Sequence, residues 1–275
     1  MFTLVLAGGG ARGLAHIGVL KRLEENGLRP NFIVGTSMGA IVGGAYSLYP
    51  NSSFIIKNLY YLLKKVSNFK VDLDAAFSGK IEINKYIISL ICQFGILGKY
   101  VTSPKKYKKA LKLIFENNDI RDTKIRFMSI STDLKSAEPV KHMKGNMVEE
   151  IFTSATLPGF FPSVKKENMV LVDGGVLANL PVIEAKEEMP ENKIIAIDLG
   201  SNTTLEASSP FSIMASIDKL KEKMINKVER SYADYIIDID VKYINIGDFS
   251  RYREAIRAGY RQAERHMEKI KEILQ

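Results

Sequence analysis

Apolar positions near the amino end fall first in a block and then at helical spacing. Phe2 to Ala7 is a short apolar run that reads as a buried strand. Leu14, Ile17, Leu20 and Leu23 then recur between Gly13 and Asn26 at the interval of a helix with one buried face, and Asn26-Gly27 supplies a stop before Pro30. Asn31 to Val34 makes a second strand. Met38 to Tyr49 is apolar and rich in small residues (Gly39, Ala40, Gly43, Gly44), which predicts a buried helix packed closely on a sheet. A βαβα start of this kind implies parallel strands covered by helices.

From about 51 to 119 the pattern changes to Lys, Ile, Leu and Tyr, with amphipathic patches at Phe54 to Val66 and Lys105 to Phe115 and an apolar stretch at Ile87 to Leu97. Strand signals return at Ile125 to Ser131, Met169 to Val172, Lys193 to Leu199 and Tyr235 to Val241, and a polar loop is expected at Ser201 to Pro210. The chain closes with a helix from Arg251 to Leu274, whose stripe Ile256, Ala263, Met267, Ile270 and Leu274 should dock on the core. With no internal repeat and no interdomain linker, residues 1–275 are expected to form one domain carrying a basic helical insert at about 51–119.

Composition narrows the chemistry. A chain of 275 residues with 46% hydrophobic and 25% charged positions can bury a core, which excludes disordered and collagen-like classes. The single cysteine, Cys92, rules out an intramolecular disulfide framework and a cysteine zinc cluster, and three histidines (His16, His142, His266) leave little for a metal site. No metal or cofactor is expected. The net charge of +8 is concentrated: residues 51–120 hold 12 lysines against Asp72, Asp74, Glu82, Glu116 and Asp119, a balance of +7. The Lys105-Lys106-Tyr107-Lys108-Lys109 run and the Ile87 to Leu97 stretch fit a lid resting on anionic membrane, and equally a solvated helical face. Nucleic acid is the weaker partner, since no binding motif accompanies the charge. Asp238 and Asp240, two apart on a presumed strand, lack further ligands and are expected on an exposed strand face. No basic residue precedes the first apolar run, no small-residue cleavage site follows it, and no stretch nears the ~20 apolar residues of a membrane span. The expectation is a cytoplasmic protein, either free or in peripheral contact with a membrane surface.

Three glycine motifs stand at predicted strand ends. Gly8-Gly9-Gly10-Ala11-Arg12-Gly13 leaves the first strand and opens the first helix, where unpaired N–H groups can face an anion. It matches the GxGxxG dinucleotide fingerprint and equally suits an oxyanion hole. Gly35-Thr36-Ser37-Met38-Gly39 lies between a strand and a helix, the context of a GxSxG nucleophile elbow. A dinucleotide site would want an acid ending the second strand, and Val34-Gly35-Thr36 holds none. Asp173-Gly174-Gly175 follows an apolar strand and puts a carboxylate where it can meet Ser37, although alone it would be an ordinary turn.

GGGARG, GTSMG and DGG in this order resemble the patatin-like phospholipase family, and Ser154-Ala155-Thr156-Leu157-Pro158-Gly159-Phe160-Phe161-Pro162 is similar to the family's segment preceding its catalytic aspartate. The resemblance spans nearly the whole chain, through Ile194-Ile195-Ala196-Ile197-Asp198 to the Gly259-Tyr260 helix, and extends to the neuropathy target esterase catalytic domain. It implies a three-layer α/β fold with a mostly parallel sheet covered by helices, and hydrolysis of phospholipid or lysophospholipid esters. It also implies a Ser-Asp dyad with Ser37 as nucleophile and Asp173 as general base, an oxyanion hole in Gly8 to Gly13, and support from Gly35, Gly39, Gly174 and Gly175. The insert at 51–119 matches only loosely, so substrate choice stays open.

Three other readings remain at this point. Ser37, Asp173 and His266 occur in the chain order of an α/β-hydrolase triad, but His266 sits mid-helix. A nucleotide-binding oxidoreductase rests on GxGxxG alone. A catalytically silent lipid-binding protein is disfavoured by the intact Ser37 and Asp173. Arg12 supplies positive charge to the oxyanion or a lipid phosphate, or is merely solvated. His16 is expected as a packed helix histidine and His142 in a polar turn.

Overall fold

The computed structural model describes residues 1–58, 103–200 and 210–275. β1 (Phe2–Leu6) passes through a 3₁₀ turn at Gly10–Leu14 into α1 (Ala15–Glu25), and β2 (Phe32–Thr36) passes into α2 (Met38–Leu48). A helical stretch at 52–58 follows. Next come α3 (Pro104–Phe115), β3 (Arg126–Asp133), β4 (Glu138–His142), α4 (Met147–Ser154), β5 (Val164–Lys166) and β6 (Met169–Asp173). The chain ends with α5 (Val182–Glu188), β7 (Lys193–Asp198), α6 (Pro210–Ser231), β8 (Tyr235–Asp238) and α7 (Tyr252–Leu274).

Among the described residues the strands build an 8-stranded sheet in the order β5-β6-β3-β2-β1-β7-β8, with β4 added to β3. β3, β2, β1, β7 and β8 are mutually parallel, as the βαβα opening requires, while β4 and β6 join β3 antiparallel. Alternate residues of the parallel strands serve two cores. Leu4, Leu6, Ile33, Phe127, Ile195 and Ile197 face a cluster shared with α1, α2, α4 and α7. Val5, Phe32, Val34, Met128, Ile194 and Ala196 face Val182 and Ala185 of α5. Burial on both faces is why these strands are continuous apolar runs rather than alternating ones. The expected three-layer α/β architecture is therefore the one observed.

One detail of this sheet places the chemistry. β2 pairs β3 as far as Thr36↔Ile130, and β6 pairs β3 from Asp173↔Ser131 onward. Because β4 already occupies one edge of β3 over Ser129–Asp133, β6 must use the edge that β2 vacates. Two strands running toward each other thus end side by side, one delivering Ser37 and the other Asp173.

α1 and α7 cross closely at Gly259, where an added Cβ would lie 1.9 Å from the Ala15 carbonyl oxygen. Gly259→Ala is expected to destabilise the protein by about 1–3 kcal/mol, since the helices must part, and thermal denaturation of the purified variant measures it.

Several boundaries differ from expectation. β4 occupies Glu138–His142, so His142 is not in a turn; Pro139 and the flanking charges hide a strand that, among the described residues, pairs only with β3. The strand expected to Val241 stops at Asp238, leaving Asp240 beyond it, and Asp238 pairs with Arg230. The first helix begins as a 3₁₀ turn at Gly10. Within the insert, Lys105 to Phe115 is α3 and residues 54–58 lie in the 52–58 helix; residues 59–66 of the Phe54 to Val66 patch and Ile87 to Leu97 fall outside the described residues.

Candidate active site

Ser37 caps α2 with φ 55° and ψ −118°, a conformation that costs a non-glycine residue on the order of 1–3 kcal/mol. The strain persists because its surroundings require it. A Cβ at Gly39 would lie 2.2 Å from the Leu6 carbonyl oxygen, so only glycine lets α2 start this close to β1. The Ser37 N–H donates to the buried Ser154 hydroxyl at 3.0 Å, tying the turn to the end of α4. The serine side chain is left at the amino end of a helix, where the helix dipole favours negative charge on oxygen.

Asp173 is buried at the end of β6 and accepts the Gly175 N–H at 2.8 Å. Its carboxylate lies within hydrogen-bonding reach of the Ser37 hydroxyl. Burial pushes its pKa up to about 6, against the restraint of the hydrogen bonds from Gly175 and Ser37. A carboxylate of ordinary pKa, about 3.9, would be a poor base for an alcohol, so the dry setting favours proton acceptance near neutral pH. Gly174 packs under this turn, where a Cβ would meet the Ile130 carbonyl oxygen at 2.3 Å.

The glycine loop closes the third side. A Cβ on Gly8 would stand 3.4 Å from the Ser37 Cβ, so the loop runs alongside the serine. Not all of its predicted donors are available. The Gly8 N–H donates to the Asn179 carbonyl at 3.0 Å, and the Ala11 N–H to the Ile246 carbonyl at 2.8 Å. Ala11 therefore cannot serve an oxyanion without losing a bond that anchors the loop. Among the described residues no acceptor faces the N–H of Gly9 or Gly10. Arg12 donates through Nε to the Ile244 carbonyl at 2.7 Å and through Nη2 to that of Lys242 at 3.4 Å, so its guanidinium braces the segment before α7. Gly13 sits against Met38, where a Cβ would lie 2.5 Å from Cγ.

Two neighbours escaped the sequence reading. Asn179 lies between the loops: its Oδ1 is 2.5 Å from where a Gly8 Cβ would sit and 3.2 Å from a Gly175 Cβ, and its Nδ2 donates to Glu222. As the one polar residue in the run Val176 to Val182, it carried a usable signal. Tyr107, concealed in the lysine run, turns inward to Phe161 and Phe152 at ring distances of 5.1 and 5.9 Å. Burial, and then the Asp173 charge, raises the Tyr107 hydroxyl pKa.

The histidines lie elsewhere in the bonding scheme. His266 accepts or donates at Nδ1 to the Tyr235 hydroxyl, 2.7 Å away on β8, at the opposite end of the sheet from β6. His266→Ala is expected to keep kcat/KM for any reaction at Ser37 within about threefold of wild type; a loss above about a hundredfold in steady-state assays would restore the triad. His16 is buried in α1, with Nε2 2.8 Å from the Ala7 carbonyl, and burial lowers its pKa to about 4, partly countered by that bond. His142 is buried between Ser131 at 2.7 Å and Glu150 at 2.8 Å. No group of three or more metal-ligating side chains occurs among the described residues.

The chain is similar to known proteins. The family model described as "Patatin-like phospholipase" matches residues 4–186. Lysophospholipase NTE1 of Debaryomyces hansenii is 32% identical over 199 residues, 72% of this chain and 12% of that protein. Human patatin-like phospholipase domain-containing protein 6 is 28% identical over 216 residues, 75% of this chain and 14% of that protein. The solved structure of VipD from Legionella pneumophila superposes with a TM-score of 0.54 at 15% identity, covering 98% of this chain and 67% of that one, a likeness of fold. The chain thus corresponds to a small portion of its long curated relatives.

Proposed function

The chain belongs to the patatin-like phospholipase family, and from that premise we propose a serine acyl hydrolase that cleaves phospholipid or lysophospholipid esters with a Ser37–Asp173 dyad. The observation that carries the proposal is a buried aspartate within reach of a serine hydroxyl held on a strained strand-to-helix turn. Asp173 takes the proton of Ser37 as Oγ bonds to the ester carbonyl carbon. The carbonyl electron pair moves onto oxygen, which the N–H groups of Gly9 and Gly10 and the amino end of α2 stabilise. Collapse of this intermediate expels the alcohol, which recovers the proton from Asp173, and leaves an acyl-serine. Water, deprotonated by Asp173, then releases the fatty acid and regenerates Ser37. No histidine, metal or cofactor takes part.

Similarity to lysophospholipase NTE1 supports a lysophospholipid substrate. The aromatic cluster of Tyr107, Phe152 and Phe161, whose tyrosine feels the Asp173 charge, offers acyl carbons an apolar surface. Nothing corresponding to a dinucleotide site is retained at the end of β2, where the Thr36 hydroxyl donates to the Ala178 carbonyl at 2.7 Å. We further propose that residues 1–275 act as one catalytic unit in peripheral contact with anionic membrane; no described helix is long and apolar enough to cross a bilayer. Incubation with lysophosphatidylcholine and with a diacyl phospholipid tests the assignment by free fatty acid release. Turnover of either supports it, and absence of turnover across lipid esters contradicts it.

A further inference from the structure

α6 is turned inside out. A surface helix ordinarily buries its apolar stripe and offers its polar face to water. Here Ser216, Asn226 and Glu229 are buried, and Glu222 faces Asn179 beside the site. The Glu229 carboxylate accepts the N–H groups of Val182 and Ile183 at 2.9 and 2.8 Å, so the helix is held to the body through polar bonds. Arg230 extends this polar seam to Asp198 and Asp238. The opposite face carries Ile213, Ile217, Leu220, Met224 and Val228, spaced four, three, four and four apart and between 43 and 71% exposed. These positions form one line roughly 22 Å long.

We infer that this outward face of α6 is a membrane-docking surface, with the five apolar side chains entering the lipid interface. The inference rests on the proposed lipid hydrolase and adds the element by which it meets its substrate. An exposed apolar stripe of this extent on one helix calls for an apolar partner. Charge selects which. Lys221 and Lys227 are exposed on opposite flanks of the stripe, where anionic head groups would lie when the helix rests parallel to a bilayer. The same lysines would face like charges in a symmetric pairing of two α6 helices. Exposed apolar side chains also occur in the segments that hold the active-site loops. Val176, three residues after Asp173, is 41% exposed, and Ile246, whose carbonyl anchors Ala11, is 40% exposed. Docking through α6 would bring the glycine loop and Ser37 to the lipid surface.

The test uses the full chain carrying Ser37→Ala, so that vesicles stay intact, and measures cosedimentation with vesicles of phosphatidylcholine and phosphatidylglycerol. Adding Leu220→Asp and Met224→Asp is expected to lower the partition coefficient by at least about tenfold. Lys221→Glu with Lys227→Glu is expected to abolish the preference for phosphatidylglycerol and its weakening by salt. In the otherwise wild-type chain, Leu220→Asp with Met224→Asp should leave hydrolysis of a water-soluble short-chain ester within about twofold while reducing hydrolysis of vesicle phospholipid. Undiminished vesicle binding by both double variants overturns the inference. So does a dimer in light scattering that Leu220→Asp with Met224→Asp converts to monomer without loss of lipid binding. If instead the wild type binds vesicles through α6 but hydrolyses no ester, docking stands and the hydrolase reading fails.

Discussion

Ser37→Ala is expected to lower lipid-ester turnover by about 10⁴-fold or more while leaving the fold intact. Removing a nucleophile takes away the whole covalent route, so what remains is the acceleration that an oxyanion hole and substrate binding can give to direct attack by water. The fold should survive because the Ser37 hydroxyl's partner is Asp173, not a core element, and alanine keeps the N–H that donates to Ser154. Circular dichroism and thermal melting separate loss of chemistry from loss of structure. The variant should also raise the Asp173 pKa further, because it deletes one of the two hydrogen bonds that restrain it.

Asp173→Asn is expected to cost about 10³- to 10⁴-fold in kcat/KM, somewhat less than loss of the nucleophile, because the serine remains but has no base. The wild-type pH profile should carry the same signature. Asp173 must be ionised to accept a proton, and burial holds its pKa at about 6, so kcat/KM should fall about tenfold per pH unit below that value and level off above it. The asparagine variant should lack this limb. Stability moves in the opposite direction. A native pKa of about 6 lies above the unfolded value of about 3.9, so the native state binds this proton more tightly. The associated stabilisation is fully present below about pH 4 and is lost as pH rises through about 6. At pH 7 the buried charge costs on the order of 3 kcal/mol, and neutral Asp173→Asn should therefore melt at a higher temperature than wild type. Its Oδ1 can still accept the Gly175 N–H. A variant at once less active and more stable is the mark of a charge kept in an unfavourable place for chemistry.

What could be read from the chain follows from where its constraints are local. The buried parallel strands announced themselves as unbroken apolar runs, and Gly8 to Gly13, Gly35, Gly39 and Gly174 marked their ends because the backbone there passes too close to neighbours for a side chain. Ser37 and Asp173, 136 positions apart, were recognisable only in combination, and the sheet supplies the reason they meet: β6 takes over the edge of β3 that β2 leaves. β4 and β5 were hidden because β4 has, among the described residues, no partner strand but β3 and contains Pro139, while β5 is three residues long. Ala11 illustrates a limit of motif reasoning. Its place in GGGARG said that a donor existed, but only the fold shows that Ile246, from the far end of the chain, already uses it. α6 illustrates another. The sequence reading did not single out this helix, and the direction of its apolar face is decided by Glu229 accepting the N–H groups of Val182 and Ile183, an interaction invisible to hydrophobic patterning.

The central claim is that Ser37 is an activated nucleophile, and a fluorophosphonate probe reads this without knowledge of the natural lipid. Its phosphorus bonds only to a nucleophilic oxygen, displacing fluoride, so intact-mass analysis followed by peptide mapping reports both stoichiometry and site. The account predicts one adduct per chain on Ser37, slower labelling of Asp173→Asn and none at that position in Ser37→Ala. A wild-type protein that stays unlabelled, or an adduct that persists unchanged in Ser37→Ala, would contradict it.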